Sequence, residues 1–208
     1  TGAFVQRPMR RRPADPAPLL SSVLASEPGR AWYCLEGTVN GAGSAVDAFA
    51  SQARTDAASL WRQLEQLPER GARPIYINGV GGLGSPFWRP GQPSYFIGEG
   101  TLLERFAAVV ESIVFLVTIN CELMRRCGAE AGRVLVSGGL SRSDWLCRCL
   151  AASLGAPVLR TAREATVLGV AALAAAPGFE PPAAALALQR FEPQQVSAAA
   201  RTALGQRR

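Results

Sequence analysis

The sequence predicts an α/β fold, and three observations carry that prediction. Short apolar runs such as Val134-Leu135-Val136 end in glycine and lead directly into stretches of helical periodicity. Leu102, Leu103, Phe106, Val109, Val110, Ile113, Val114 and Val117 recur every three or four residues, which predicts an apolar face on a helix of about 25 residues. With 48% hydrophobic residues in 208, the chain can fill the core of one domain, or one and a small appendage.

The elements follow in order. Thr1-Gly2-Ala3-Phe4 reads as the tail of a turn entering a strand, and residues 7–18, rich in Arg and Pro, as a loop. Ala31 to Leu35 is a short strand candidate. The small residues from Gly37 to Val46 lead into a helix through about Ala53. Ser59 to Leu67 places Trp61, Leu64 and Leu67 at helical spacing. A strand over Pro74 to Ile77 runs into a glycine loop from Gly79 to Pro86. The long helix over the 102–117 face should end before Gly128, a C-cap candidate. Arg133 to Ser137 is a buried strand. A helix starts near Ser143 or Asp144 and stops at Leu154, before Gly155 and Pro157. Pro157 to Arg160 is another strand, Glu164 to Ala176 a small-residue helix, and Pro193 to Leu204 a weak one.

All 22 basic side chains are arginine, and the chain has neither lysine nor histidine. No lysine means no P-loop phosphate clamp and no Schiff base; no histidine means no Ser-His-Asp triad and no His general base. Proton transfer is left to carboxylates, Tyr, Cys or water. The net charge of +6 is spread along the chain, and no aromatics interleave with Arg10-Arg11-Arg12, so nucleic acid is not an expected partner. Five cysteines without a C-x-x-C pair read as reduced cytosolic thiols. Glu111 and Glu122 interrupt the most apolar run, Phe106 to Met124, which therefore reads as a buried globular helix with no membrane partner. Glu111 itself reads as a paired structural acid.

The strand–Gly-Gly–helix unit from Val134 to Leu150 is the informative motif. Two glycines at the end of a strand let a flat or phosphorylated ligand approach the backbone, and the next helix turns its N–H groups and positive end toward it. Ser141, Ser143 and Asp144 read there either as helix caps or as partners of a purine or ribose.

Four segments, in order, make the chain resemble the C-terminal domain of the FGGY carbohydrate kinases, in the actin-like ATPase superfamily. Thr1-Gly2-Ala3-Phe4 is similar to the end of the family's Gly-Thr-Gly phosphate loop. Leu35-Glu36-Gly37 through Gly43-Ser44-Ala45-Val46-Asp47 is similar to its segment near the nucleotide. Gly82-Leu83-Gly84-Ser85-Pro86-Phe87-Trp88 matches a family loop and reads as mainly structural, its Pro86, Phe87 and Trp88 as packing. Ser137-Gly138-Gly139-Leu140-Ser141-Arg142-Ser143, with Glu164 to Ala171 about 25 residues later, is similar to the adenine-side loop and its closing helix.

The resemblance implies an α/β fold of the ribonuclease H-like, actin-like ATPase type, a mixed sheet flanked by helices, forming one half of a two-domain kinase. Residues 1–178 would be the nucleotide-binding domain and 179–208 a tail. Thr1 and Gly2 would face the ATP phosphates; Gly43, Val46 and Asp47 would line the nucleotide; Gly138 and Gly139 would pass beside the adenosine; Ser143 would stand at the base. Asp47 replaces the Gln of many relatives, and Ser143 the Asn common in glycerol kinases. In such kinases Mg²⁺ spreads the phosphate charge and an aspartate takes the acceptor's proton. The four aspartates here, Asp15, Asp47, Asp56 and Asp144, lie outside the family's catalytic context. The base and most of the Mg²⁺ ligands are therefore expected upstream of Thr1, and the chain alone is expected to be an inactive fragment. Expected partners are ATP, a polyol or sugar presented by an N-terminal domain, and a second copy of the chain; the expected compartment is the cytoplasm. Leu35-Glu36-Gly37 and the pairing of Glu164 with Thr166 lean toward a glycerol-like acceptor. The alternative is a non-catalytic nucleotide-binding or regulatory module of the same superfamily.

Overall fold

Alternation along Ala3–Met9 turns Val5 and Met9 inward while Phe4, Gln6 and Pro8 face solvent, and this stretch is strand β1. The computed structural model describes residues 2–68, 73–128, 132–161, 165–175 and 189–193. Strand β1 is longer than the sequence suggests: it runs through Arg7 and Pro8, inside the expected loop. Proline is tolerated because β1 is an edge strand, in the order β1-β3-β2. The central strand β3 (Arg30–Val39) also outruns the expected Ala31–Leu35. Strand β2 (Leu20–Glu27) has no counterpart in the sequence reading. It is mostly exposed, bulged between Val23 and Ala25 and paired on one side only, so it shows no alternation to read.

After β3 come α1 (Gly43–Gln52) and α2 (Ala57–Leu64), the latter capped by the Asp56 carboxylate, which accepts from the Ala58 and Ser59 amides. Strand β4 (Ile75–Ile77) pairs antiparallel with β5 (Tyr95–Ile97), a three-residue strand also absent from the sequence reading. The long helix α3 (Leu102–Arg126) has the anticipated length. Thr101 and Glu104 close a capping box at its start, and Gly128, at φ +75°, follows its last turn.

The core of this first unit, Thr1–Ala131, is organised by α3. At one end Leu35 of β3, Leu19 and Met124 of α3 are buried together, with Val5, Met9, Leu123 and Cys127 packed against them. Toward the other end the Phe106 ring lies 5.8 Å from Phe49 of α1 and 5.2 Å from Trp61 of α2, and Phe96 of β5 lies 4.7 Å from Tyr76 of β4.

The second unit, Gly132–Arg208, is built on a βαβ turn. Strand β6 (Val134–Val136) pairs parallel with β7 (Val158–Arg160) through the crossover helix α4 (Asp144–Leu154). Trp145, Cys147, Leu150, Ala151 and Leu154 of α4 are buried, and Gly155, at φ +62°, ends the helix as anticipated. Strand β8 (Gln189–Phe191) adds antiparallel to β7, making the sheet mixed, and was not visible as a strand in the sequence. Helix α5 (Ala165–Ala174) occupies the expected region. The weak helix sought after Pro193 and the domain boundary placed after residue 178 lie outside the described residues.

Candidate functional site

In the first unit the site residues collect where β1 begins and β3 ends. Ala3 pairs with Val39, and a Cβ on Gly2 would lie 2.8 Å from the Val39 carbonyl oxygen, so only glycine lets β1 start this close. The chain then turns through Asn40, Gly41 and Ala42 into α1, whose first residue is Gly43. No side chain caps α1 and no acid sits in its first turn. The start of α1 thus carries the positive end of a helix dipole with no acid in its first turn. Val46 is 2% exposed, and its amide donates to the Ala42 carbonyl (3.3 Å). Asp47 is exposed on the same helix. Thr1 lies outside the described residues.

The residues that shape this turn escaped the sequence reading. Asn78, 4% exposed, donates through Nδ2 to the Gly41 carbonyl (2.7 Å) and to Ser112 Oγ (3.1 Å), and accepts from the Val80 amide (3.3 Å). Asn40 Nδ2 donates to the Gly81 carbonyl (3.1 Å). The one available signal was an asparagine placed directly after an apolar strand and before a glycine run.

The Gly82–Trp88 loop is fastened by a second buried link. The Thr38 amide donates to Ser85 Oγ (2.6 Å), Ser85 Oγ donates to Asn120 Oδ1 (2.7 Å), and Asn120 Nδ2 returns to the Ser85 carbonyl (3.1 Å). Phe87 and Trp88, expected to pack, are each 45% exposed; Trp88 Nε1 donates to the Pro18 carbonyl (2.7 Å). Glu111 is an ion-paired structural acid: Oε1 lies 2.6 Å from Nη1 of Arg73, and both side chains are largely withdrawn from solvent.

In the second unit β6 ends at Val136, and Ser137 leads into Gly138 and Gly139. Gly138 has φ +92° and ψ −178°, a region open in practice only to glycine. A Cβ built on Gly138 or Gly139 meets nothing within 4 Å, so the backbone borders open space at the carboxyl end of a parallel strand. That is where ligands of open α/β sheets bind. A 3₁₀ turn (Gly139–Arg142) follows, and Ser143 caps α4, its Oγ accepting from the Leu146 amide (3.2 Å). Ser141 Oγ donates to the Gly138 carbonyl (2.7 Å). Ser143 is thus the cap of α4, and Ser141 closes the turn ahead of it.

Arg160 at the end of β7 organises this turn. Its Nη1 lies 2.8 Å from Asp144 Oδ1 and donates to the carbonyls of Ser141 (2.8 Å) and Arg142 (3.1 Å). Nη2 donates to Gln189 Oε1, and the guanidinium lies 5.2 Å from the Phe191 ring centre. Asp144 is thereby held by an arginine. Among the described residues no three His, Cys, Asp or Glu side chains come together as metal ligands.

Burial pushes two thiols up: Cys121 to about 11, and Cys34 also upward. Neither is a thiolate near neutral pH.

Comparison with known proteins agrees with this geometry. The model of the FGGY family of carbohydrate kinases, C-terminal domain, matches residues 1–177. Among curated proteins, a glycerol kinase from Alkalilimnicola ehrlichii is 36% identical over 192 residues, covering 84% of this chain and 37% of its own length. One from Cereibacter sphaeroides is 35% identical, covering 86% of this chain and 39% of its own length. Among solved structures, Plasmodium falciparum glycerol kinase with ADP superposes with a TM-score of 0.82 at 18% identity, covering 98% of this chain and 44% of that one. Xylulose kinase from Rhodospirillum rubrum gives 0.78 at 19%, covering 99% and 44%. The chain thus spans about two fifths of the length of the curated relatives it matches.

Proposed function

The chain belongs to the FGGY family of carbohydrate kinases, as a C-terminal domain, and from that premise we propose that it is the ATP-binding half of a polyol or sugar kinase, with a glycerol-like acceptor favoured. The family match over residues 1–177 carries this reading. The glycerol kinases named above support the choice of acceptor, and a relative crystallised with ADP supports the choice of nucleotide. Two local features support it further: the uncapped start of α1, suited to phosphate oxygens, and the open Gly138–Gly139 backbone, suited to a flat adenosine. Within the first unit Gly2, Gly43, Val46 and Asp47 are then the nucleotide-side positions, and within the second unit, taken by itself, Gly138, Gly139 and Ser143.

On this reading the chain lacks its own catalytic base. Asp15 accepts from the Ala17 amide, Asp56 caps α2 and Asp144 is paired with Arg160, so three of the four aspartates have structural employment. Asp47 projects from the nucleotide-side helix, where a base for the acceptor hydroxyl does not belong. The base, the Mg²⁺ ligands and the acceptor site then come from a partner domain. Five free cysteines suit a cytoplasmic protein, and no described helix is long and apolar enough to cross a membrane.

The test is direct. The purified 208-residue chain, given Mg·ATP and glycerol or a pentulose, should release no ADP above background in a coupled assay. Turnover by the chain alone would sink the missing-base reading.

A further inference from the structure

Asn78 is the point where three segments of the first unit meet. Ser112 Oγ on α3 donates to the Val109 carbonyl (2.6 Å) and accepts from Asn78, and Asn78 donates in turn to Gly41, two residues before α1. The helix that organises the unit is thus tied, through one amide, to the turn ahead of the uncapped helix. Gly41 is pressed so closely on that amide that a Cβ there would lie 2.5 Å from Asn78 Oδ1. An unmet carbonyl at this depth is costly, so the turn's position is set by the amide and not by solvent.

We propose that Asn78 is a positioning residue, which places the 40–42 turn so that the first amides of α1 face the nucleotide phosphates. The inference rests on the nucleotide reading above. Asn78 touches no ligand itself; it acts through the Gly41 carbonyl. Chemistry alone makes the assignment specific. Only a side chain with a donor toward Gly41 and an acceptor toward Val80 satisfies both, and asparagine carries the two on one short stem.

The test uses the variant Asn78→Asp, which keeps the shape but loses the donor when ionised. None of the groups bonded to Asn78 titrates, and the neighbouring Glu111 is paired with Arg73, so a pH response belongs to the introduced carboxyl. Burial raises the pKa of such a carboxyl, and the protonated form again donates to Gly41. Amide shifts of Gly43 and Ser44 under Mg·ADP titration, with hydrogen exchange over residues 40–46, read the effect. At pH 8 the Asp variant should bind Mg·ADP about tenfold more weakly than wild type. The ratio to wild type should recover as the pH falls to about 5.5, whereas Asn78→Ala should stay weak at both values. A second variant, Ser112→Ala, keeps the Gly41 bond and should show a smaller loss.

Unchanged protection of residues 40–46 in Asn78→Ala overturns the proposal, and so does an Asp variant whose ratio ignores pH. A wild-type chain whose α1 amides ignore Mg·ADP is the weak binding expected of one half alone, and exchange over 40–46 then judges the positioning role by itself.

Discussion

Two of the described helices, α1 and α4, follow turns that contain the site glycines, and they are built in opposite ways. At α1 the side-chain cap is missing and the turn is held from outside, by the amides of Asn78 and Asn40. Its glycines are there because protein presses on them: a Cβ on Gly2 or Gly41 would collide with backbone or with Asn78. At α4 the cap is present in Ser143, Asp144 sits in the first turn, and Arg160 clamps the preceding loop. There the glycines border nothing. The same residue type thus serves self-packing in one place and leaves the backbone open in the other. A glycine-rich stretch acquires a function only through what stands beside it.

The largest expected effect tests whether the α1 region depends on the scaffold behind it. Glu111→Ala takes the carboxylate from an Arg73 guanidinium that keeps the Pro68 carbonyl in a nearly dry site, which should cost about 3 kcal/mol. Thermal unfolding should fall accordingly, and hydrogen exchange should show the loss in residues 1–131, with α4 protection preserved. Unchanged protection of α1 in this variant would break its dependence on that scaffold.

An intermediate effect separates the two kinds of glycine. Gly41→Ala forces a Cβ to within 2.7 Å of the Val80 carbonyl oxygen and should destabilise by about 1–3 kcal/mol. Gly139→Ala meets open space and should change stability by no more than about 0.5 kcal/mol, yet weaken nucleotide binding by intruding on the adenosine face. Equal stability costs for the two in denaturant titrations would break the comparison.

The capping box of α3 gives the smallest effect and sharpens the contrast with α1. Hydrogen bonds from the Thr101 amide and hydroxyl hold Glu104 below its ordinary value of 4.5. The depressed value means the box contributes fully above pH 4.5 and fades as the pH falls through the folded-state value. Exchange at the first turn of α3 should therefore rise in acid for wild type and stay flat for Glu104→Gln. The first turn of α1 has no such acid and should show no comparable step.

Most of the helical fold was legible before any coordinates. The start of α4 at Ser143, its end at Gly155, the length of α3 and its stop before Gly128 are all written in neighbouring residues. The strands fared unevenly. β2, β5 and β8 went unseen because each is paired on one side only and none shows the alternation of a half-buried strand over enough residues to read. For the site, the positions near each helix start were legible as motifs, whereas Asn78, Ser112 and Arg160 were not. Gly41 and Ser112 lie 37 and 34 residues from Asn78, and the partners of Arg160 lie 16 to 31 residues away, beyond any local pattern.

By itself the sequence determined the α/β class, the limits of α3 and α4, the absence of any lysine or histidine chemistry and the family to which the motifs point. These depend on composition and on contacts within a few residues, where caps, periodicity and glycine act. Only the tertiary structure decided which glycines are crowded and which are open, that Glu111 belongs to Arg73, and that Asp144 answers to Arg160. Those facts depend on which distant groups the fold brings within 3 Å or so of one another. No stretch of sequence, read alone, carries that distance.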